Sequence, residues 1–135
     1  MKNIVFILII FFGAISTLKA DVKKWKLEQV GFLNIDRNEK DYGGFSGLLI
    51  KNAGTEALVV TDKSFFFVLE LRRDDNDFLT GYSVIKKGRI LSSKGEHLNG
   101  RNTDSESIAM DANNNYYISF ESNHRIMMHT EVEGK

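Results

Sequence analysis

A repeat with a period of about sixty residues restricts the fold of this chain more than any other feature of its sequence. Three pairs of segments align at offsets of 60, 59 and 59, namely residues 45–50 with 105–110, 59–62 with 118–121, and 65–69 with 124–128. Each unit reads as a short strand, a turn, a short strand that ends in an acid, a tight turn and a longer strand. Strands in this order build the blades of a β-propeller, and chance similarity between two β-meanders is the alternative.

The segments between the turns have the character of β-strands. Short runs that are apolar, β-branched or alternating predict strands at residues 25–28, 45–51, 57–61, 65–71, 82–85, 89–91, 108–111, 115–121 and 125–130. Polar turns are predicted at residues 62–64, 86–88 and 113–115, the last because Asn tolerates left-handed backbone angles. No segment beyond residue 20 carries an apolar stripe of helical period and length. We therefore predict an all-β fold of about two four-stranded antiparallel sheets.

The number of repeat units determines whether such a fold closes on itself. A propeller needs about four to eight blades, whereas the sequence shows a single pair of units. So few blades leave unpaired strand edges and half a core. We expect an incomplete propeller, which is either a fragment of a longer gene product or a chain that assembles with others. We favour the fragment, because nothing caps the last predicted strand.

The first twenty residues have the pattern of a secretory signal peptide. Met1, Lys2 and Asn3 form a mildly basic start, residues 4–15 are an unbroken apolar run, and small and polar residues lead to Ala20. The run is shorter than the roughly 20 apolar residues that span a bilayer, which favours a cleaved signal over an uncleaved anchor. We expect cleavage after Ala20, a mature domain at residues 21–135, and a periplasmic or secreted bacterial protein without a membrane span.

Charge and cysteine content exclude several classes of function. The chain has 18 basic and 18 acidic residues, and because Lys2 and Lys19 lie in the leader, the mature part has 16 basic and 18 acidic residues. A slightly acidic domain without a basic stripe is not typical of nucleic-acid binding. The absence of cysteine excludes disulfides, thiolate metal sites and cysteine nucleophiles.

Motifs in both repeat units resemble one known family. They read Gly43-Gly44-Phe45-Ser46-Gly47-Leu48, Val60-Thr61-Asp62-Lys63-Ser64, Asp104-Ser105-Glu106-Ser107-Ile108-Ala109, and Ser119-Phe120-Glu121 followed by His124-Arg125-Ile126. Together they resemble the N-terminal part of the phytase-like domain family, which is also described as showing esterase-like activity of phytase. The resemblance implies an exported, propeller-like hydrolase. Ser107 departs from the glycine that the family usually has after the glutamate, where glycine permits close backbone approach.

Three carboxylates are candidates for a metal site. In the repeat alignment Asp104 and Glu106 begin an inner strand and Glu121 ends the next strand, so all three are expected at one end of a blade. Carboxylate oxygens are ligands that the hard cation Ca²⁺ prefers. We therefore predict Asp104, Glu106 and Glu121 as the ligands of a Ca²⁺ ion near the opening of a propeller's central channel.

Glu106, His124 and Arg125 are the candidate catalytic residues. His124 is suited to general acid or base catalysis near neutral pH, and Arg125 is suited to bidentate binding of a phosphate. These groups fit the hydrolysis of a small-molecule phosphate or carboxylic ester. The alternative is structural, with Glu121 and Arg125 forming an ion pair that braces the hairpin and His124 on the turn.

Two other functions are compatible with the same sequence. One is a non-catalytic binding module of the cell envelope, and the other is a decayed fragment of a longer propeller protein. Loss of turnover on chelation and in the Glu106→Ala variant would indicate the hydrolase. Binding of a ligand without turnover would indicate the binding module.

Overall fold

The computed structural model describes residues 25–35 and 41–132, and its regular structure is almost entirely β. Its strands are β1 (Phe45–Lys51), β2 (Glu56–Thr61), β3 (Phe65–Arg73), β4 (Leu79–Arg89), β5 (Ser105–Met110), β6 (Tyr116–Phe120) and β7 (Arg125–His129). Within the described ranges no helix has the length and apolar character needed to cross a membrane. The predicted all-β class is confirmed, while the predicted signal peptide lies outside the described residues.

The strands form two antiparallel sheets that follow the repeat. β1 to β4 pair in chain order in the first sheet, and β5 to β7 pair in chain order in the second. Both sheets have a β-bulge at the equivalent place, in β1 between Phe45 and Gly47 and in β5 between Ser105 and Ser107. Over the described residues the second sheet has three strands rather than the predicted four.

Two of the predicted local elements are wrong. Residues 25–28 form an irregular segment rather than a strand, with Trp25 84% and Leu27 99% exposed. A strand needs a neighbouring strand as the partner for its backbone hydrogen bonds, and an alternating sequence alone does not supply that partner. Residues 86–88 belong to β4 rather than to a turn, because β3 offers ladder partners along their whole length. Gly88 lies opposite Phe66, whose ring occupies the space that a Cβ at Gly88 would need.

The main core lies between the two sheets. It combines buried side chains of both sheets, among them Leu58, Val60, Phe66, Ile108, Ile118 and Phe120. Burial of each such side chain contributes about 1.5–3 kcal/mol, so this interface joins the sheets. A second cluster covers the other face of the first sheet, where the Tyr42 ring packs edge-on against Phe67 with centroids 4.7 Å apart.

The first strands of the two sheets, β1 and β5, lie side by side at a seam. Gly47 makes this close approach possible, because a Cβ there would lie 2.9 Å from both the Ile108 nitrogen and the Ser107 Cα. Both atoms belong to the backbone of β5, so they cannot move aside as the end of a flexible side chain can. The glycine is therefore a packing requirement of the seam.

Serine hydroxyls also link the sheets across this seam. Ser46 Oγ donates to the carbonyl oxygen of Ser105, and Ser105 Oγ donates to the carbonyl oxygen of Thr61, both at 2.5 Å. Ser105 and Thr61 are fully buried, and buried polar groups need such partners. The seam is thus fixed by hydrogen bonds as well as by apolar packing.

We predict that Gly47→Ala destabilises the protein by about 1–3 kcal/mol, because the added methyl group forces β1 and β5 apart. Urea unfolding followed by circular dichroism measures the change. Gly31→Ala is the matched control, since a Cβ at Gly31 meets no atom within 4 Å. Equal stability of the two variants would contradict the steric role of Gly47.

Candidate functional site

Four carboxylates lie at one end of the two sheets. Asp104 precedes β5, Glu106 is in the β5 bulge, Glu121 follows β6, and Asp62 follows β2. The same main-chain contact occurs in each repeat unit at this end. The Glu121 N–H donates to the Asp104 carbonyl oxygen, and the Asp62 N–H donates to the Gly44 carbonyl oxygen, both at 2.9 Å. The repeat thus places its acids at equivalent strand ends.

Three of these acids form a compact group. Asp104, Glu106 and Glu121 each offer one carboxylate oxygen, and these oxygens lie within 4.8 Å of one another. Ser122 Oγ donates to Asp104 Oδ2 at 2.5 Å and so orients that half-buried carboxylate. Glu106 and Glu121 are exposed to solvent. The structure brings the three predicted ligands together, and their binding of a metal stays a prediction.

The group holds negative charge that side chains do not neutralise. Desolvation raises the pKa of Glu106, and the charges of Glu121, Asp104 and Asp62 raise it further. In the described part of the chain, no Lys, Arg or His nitrogen forms an ion pair with these four carboxylates. Among the described residues, the charge of this group is therefore screened by solvent rather than by a paired basic side chain.

The geometry of the three carboxylates fits Ca²⁺. Two oxygens bound to one Ca²⁺ at about 2.3–2.6 Å lie at most about 5 Å apart, and the oxygens of Asp104, Glu106 and Glu121 are within 4.8 Å of one another. Ca²⁺ takes about six to eight oxygen ligands, so water or substrate oxygens would complete the set. A hard divalent cation is the metal that this donor set would hold.

His124 lies close to the group in sequence but does not join it. It is exposed on the turn that connects β6 to β7, and its ring nitrogens are not among the clustered ligand atoms. The alternative ion pair between Glu121 and Arg125 does not form either, although the structure describes both residues. The turn is therefore braced by other contacts.

Arg125 provides that bracing. Its guanidinium donates to the carbonyl oxygen of Asn123 at 3.0 Å and to that of Asn102 at 2.6 Å. It also stacks 3.9 Å from the centroid of the Phe120 ring. Burial lowers the pKa of Arg125 from its ordinary value, but an arginine stays charged at neutral pH. Arg125 thus has a structural role, and its contact with substrate stays a prediction.

Asp62 was not among the predicted site residues. The sequence nevertheless contained a signal for this residue, because the repeat aligns Asp62 with Glu121. The seam between β1 and β5 brings these equivalent strand ends together. Gly44 gives this carboxylate its space, since a Cβ at Gly44 would lie within 3 Å of all three atoms of the Asp62 carboxylate, 2.2 Å from Oδ1. Asp62 extends the acidic end from the second sheet onto the first.

Comparison with known proteins identifies the family model that this chain matches. The model named Phytase-like, described as esterase-like activity of phytase, matches residues 40–135. The matched range contains both sheets and all four carboxylates. Comparisons with curated proteins and with solved structures found no match.

We predict that Glu106→Gln raises the midpoint of thermal unfolding at pH 7 in the presence of a chelator. The pKa of Glu106 is raised on folding, so its ionised form destabilises the folded state above that pKa, and protonation removes the cost as the pH falls. The difference from the unsubstituted protein should therefore narrow between pH 7 and pH 4. The control is Glu96→Gln at an exposed position. A lower midpoint for Glu106→Gln at pH 7 would contradict the repulsion.

Proposed function

The chain belongs to the phytase-like family, and from this premise we propose that it is an exported hydrolase of phosphate or carboxylic esters. The observation that carries the proposal is the group formed by Asp104, Glu106 and Glu121, whose oxygens lie within 4.8 Å of one another. The family supplies the reaction class. The uncompensated, largely exposed carboxylates supply a position where a cation and a substrate can meet.

Asp104, Glu106 and Glu121 are the proposed ligands of Ca²⁺. When bound, a divalent cation polarises the ester and stabilises the negative charge that develops on its oxygen. Glu106 contributes twice in this scheme, because it is also the proposed base. As the base, the Glu106 carboxylate accepts a proton from the attacking water.

His124 and Arg125 complete the proposed site from the adjacent turn. Arg125 uses two of its five N–H groups for the carbonyl oxygens of Asn123 and Asn102, so N–H groups remain for a substrate oxygen. His124 is exposed, and a histidine exchanges protons near neutral pH. In this proposal Arg125 holds the acidic part of the substrate, and His124 transfers a proton to the leaving group.

The charge of the site predicts how strongly the hydrolysis of each substrate class depends on the metal. Four carboxylates repel an anionic phosphate ester unless a cation offsets their charge, whereas a neutral carboxylic ester experiences little repulsion. Hydrolysis of a phosphate ester should therefore depend more steeply on the divalent cation than hydrolysis of a carboxylic ester does.

We also propose that the two sheets are consecutive blades of a propeller. The register makes Leu48 of β1 equivalent to Ile108 of β5. Ile108 is buried between the sheets, whereas Leu48 is 62% exposed on the other face of the first sheet. The sheets therefore meet through non-equivalent faces, and this head-to-tail arrangement is the one that repeats around an axis.

A further blade on the second sheet would meet a different surface from that of the first seam. Ser107 stands at the position equivalent to Gly47, and its hydroxyl is 2.8 Å from that of Ser119. The Ser107 side chain occupies space equivalent to that which the β5 backbone fills beside Gly47. In the propeller proposal the second seam is consequently wider than the first.

Export is proposed from the pattern of residues 1–20, which supplies the leader.

The proposed activity is tested with purified mature protein, p-nitrophenyl phosphate and p-nitrophenyl acetate, in Ca²⁺ and in chelator. Glu106→Ala should lower kcat/KM at least about 100-fold, because it removes both a metal ligand and the base. Chelation should lower phosphate-ester hydrolysis more than acetate hydrolysis.

Glu96→Ala is the control for the loss of an exposed carboxylate elsewhere, and it should leave both rates unchanged. Turnover that survives in Glu106→Ala and in chelator would overturn the proposed site. Saturable binding of an ester without turnover would instead support an envelope binding module.

A further inference from the structure

A second concave site lies at the end of the sheets opposite the four carboxylates. It is a cavity of about 470 Å³ between the sheets, and Lys51 at the end of β1 and Tyr116 at the start of β6 both line it. Tyr116 and Glu121 are five positions apart along an extended chain, which corresponds to about 17 Å. The cavity is therefore separate from the proposed catalytic site, and its volume is in the range of small-molecule sites.

Apolar side chains form one part of the cavity wall. Leu58, Phe66 and Val68 extend the surface of the main core into the cavity, and Ile85 and Val132 line its edges. Leu58 and Phe66 are each only 1% exposed, so packing holds them in place. Val68, Ile85 and Val132 are the apolar lining residues that solvent reaches, so an apolar ligand would displace water from these three side chains and gain the free energy of hydrophobic burial.

Polar groups of both sheets converge at one side of the cavity. Lys51 Nζ donates to the Tyr116 hydroxyl at 2.7 Å and lies 3.6 Å from Glu56 Oε1. The hydrogen bond from Lys51 to Tyr116 raises the pKa of Lys51, so the ammonium is charged at neutral pH. Lys51 and Glu56 are also directly opposite each other in the ladder of β1 and β2. The charged group is thus held in a fixed position.

This polar side offers donors rather than acceptors. An ammonium has three protons, and Lys51 contacts two partners among the described residues. The Tyr116 hydroxyl accepts the Lys51 bond, and its own proton has no acceptor in the described part of the chain. Glu56 already accepts from Asn52 Nδ2 at 3.2 Å in addition to its contact with Lys51. A ligand here therefore needs an oxygen that accepts hydrogen bonds.

We propose that this cavity binds a medium-chain acyl compound, either a carboxylic acid or its ester. The acyl oxygen accepts hydrogen bonds from Lys51 and Tyr116, and the hydrocarbon chain lies against Val68, Ile85 and Val132. The charged residues of the lining balance, since Lys51 and Lys86 are matched by Glu56 and Glu131. This balance disfavours a polyanion and favours a ligand with one negative charge or none.

Isothermal titration calorimetry of the full chain with octanoate, methyl octanoate and octylammonium tests the proposal. We expect saturable one-to-one binding of octanoate, of methyl octanoate or of both, and at least about tenfold weaker binding of octylammonium. Preference for octanoate identifies the acid as the ligand form, and preference for methyl octanoate identifies the ester. Octylammonium that binds as tightly as both acyl probes, or no saturable binding of either acyl probe, would overturn the proposal.

Two substitutions assign the binding to this cavity. Lys51→Met should weaken octanoate binding at least about tenfold, with Lys94→Met, on an exposed loop, as the matched control. Ile85→Trp should block the cavity with the polar groups intact, and Ile85 is 57% exposed, so the larger ring is accommodated without disturbing the core. Octanoate affinity unchanged in both Lys51→Met and Ile85→Trp would place the binding elsewhere and overturn the proposal.

Discussion

A buried hydrogen bond connects the core of this protein to its candidate site. Ser105 Oγ donates to the carbonyl oxygen of Thr61 across the seam, and both residues are fully buried. Ser105 lies between Asp104 and Glu106, and Thr61 directly precedes Asp62. This bond across the seam therefore also holds the acids of the second sheet next to the acid of the first. The Thr61 carbonyl oxygen also accepts from the Ser64 N–H at 3.0 Å, so the same acceptor joins the turn after β2 to the second sheet.

Much of the fold could be predicted because the repeat is a local signal in the sequence. The turn at residues 62–64 and the turn at Asn114, with its positive φ of 64°, occur where the pattern of turn residues placed them. The errors arose where a neighbouring strand decides the conformation. Residues 86–88 have turn composition, yet pairing with β3 keeps them extended. Residues 25–28 have strand alternation, yet no strand of the described chain pairs with them.

The candidate site could be predicted only as far as the repeat extends. Strand-end positions were sufficient to expect Asp104, Glu106 and Glu121 at one end, because strands of a blade alternate in direction. The contacts of Arg125 could not be predicted, since its partner Asn102 comes from a connection 23 residues earlier that has no counterpart in the pattern. The same limit applies to Lys51 and Tyr116, which are 65 residues apart and meet only when the sheets pack.

The basic residues at the two ends of the sheets have different partners, and this explains why the two ends differ chemically. Lys51 is paired with Glu56 at one end, so that end has balanced charge and keeps hydrogen-bond donors. At the other end, Arg125 is the nearest arginine in sequence to Glu121. Its guanidinium instead donates hydrogen bonds to main-chain carbonyl oxygens and stacks on the Phe120 ring. The carboxylates consequently repel one another, and this repulsion adds to desolvation in raising the pKa of Glu106. Because this repulsion falls when a cation or a proton binds, the acidic end is where we propose that a metal ion and a substrate meet.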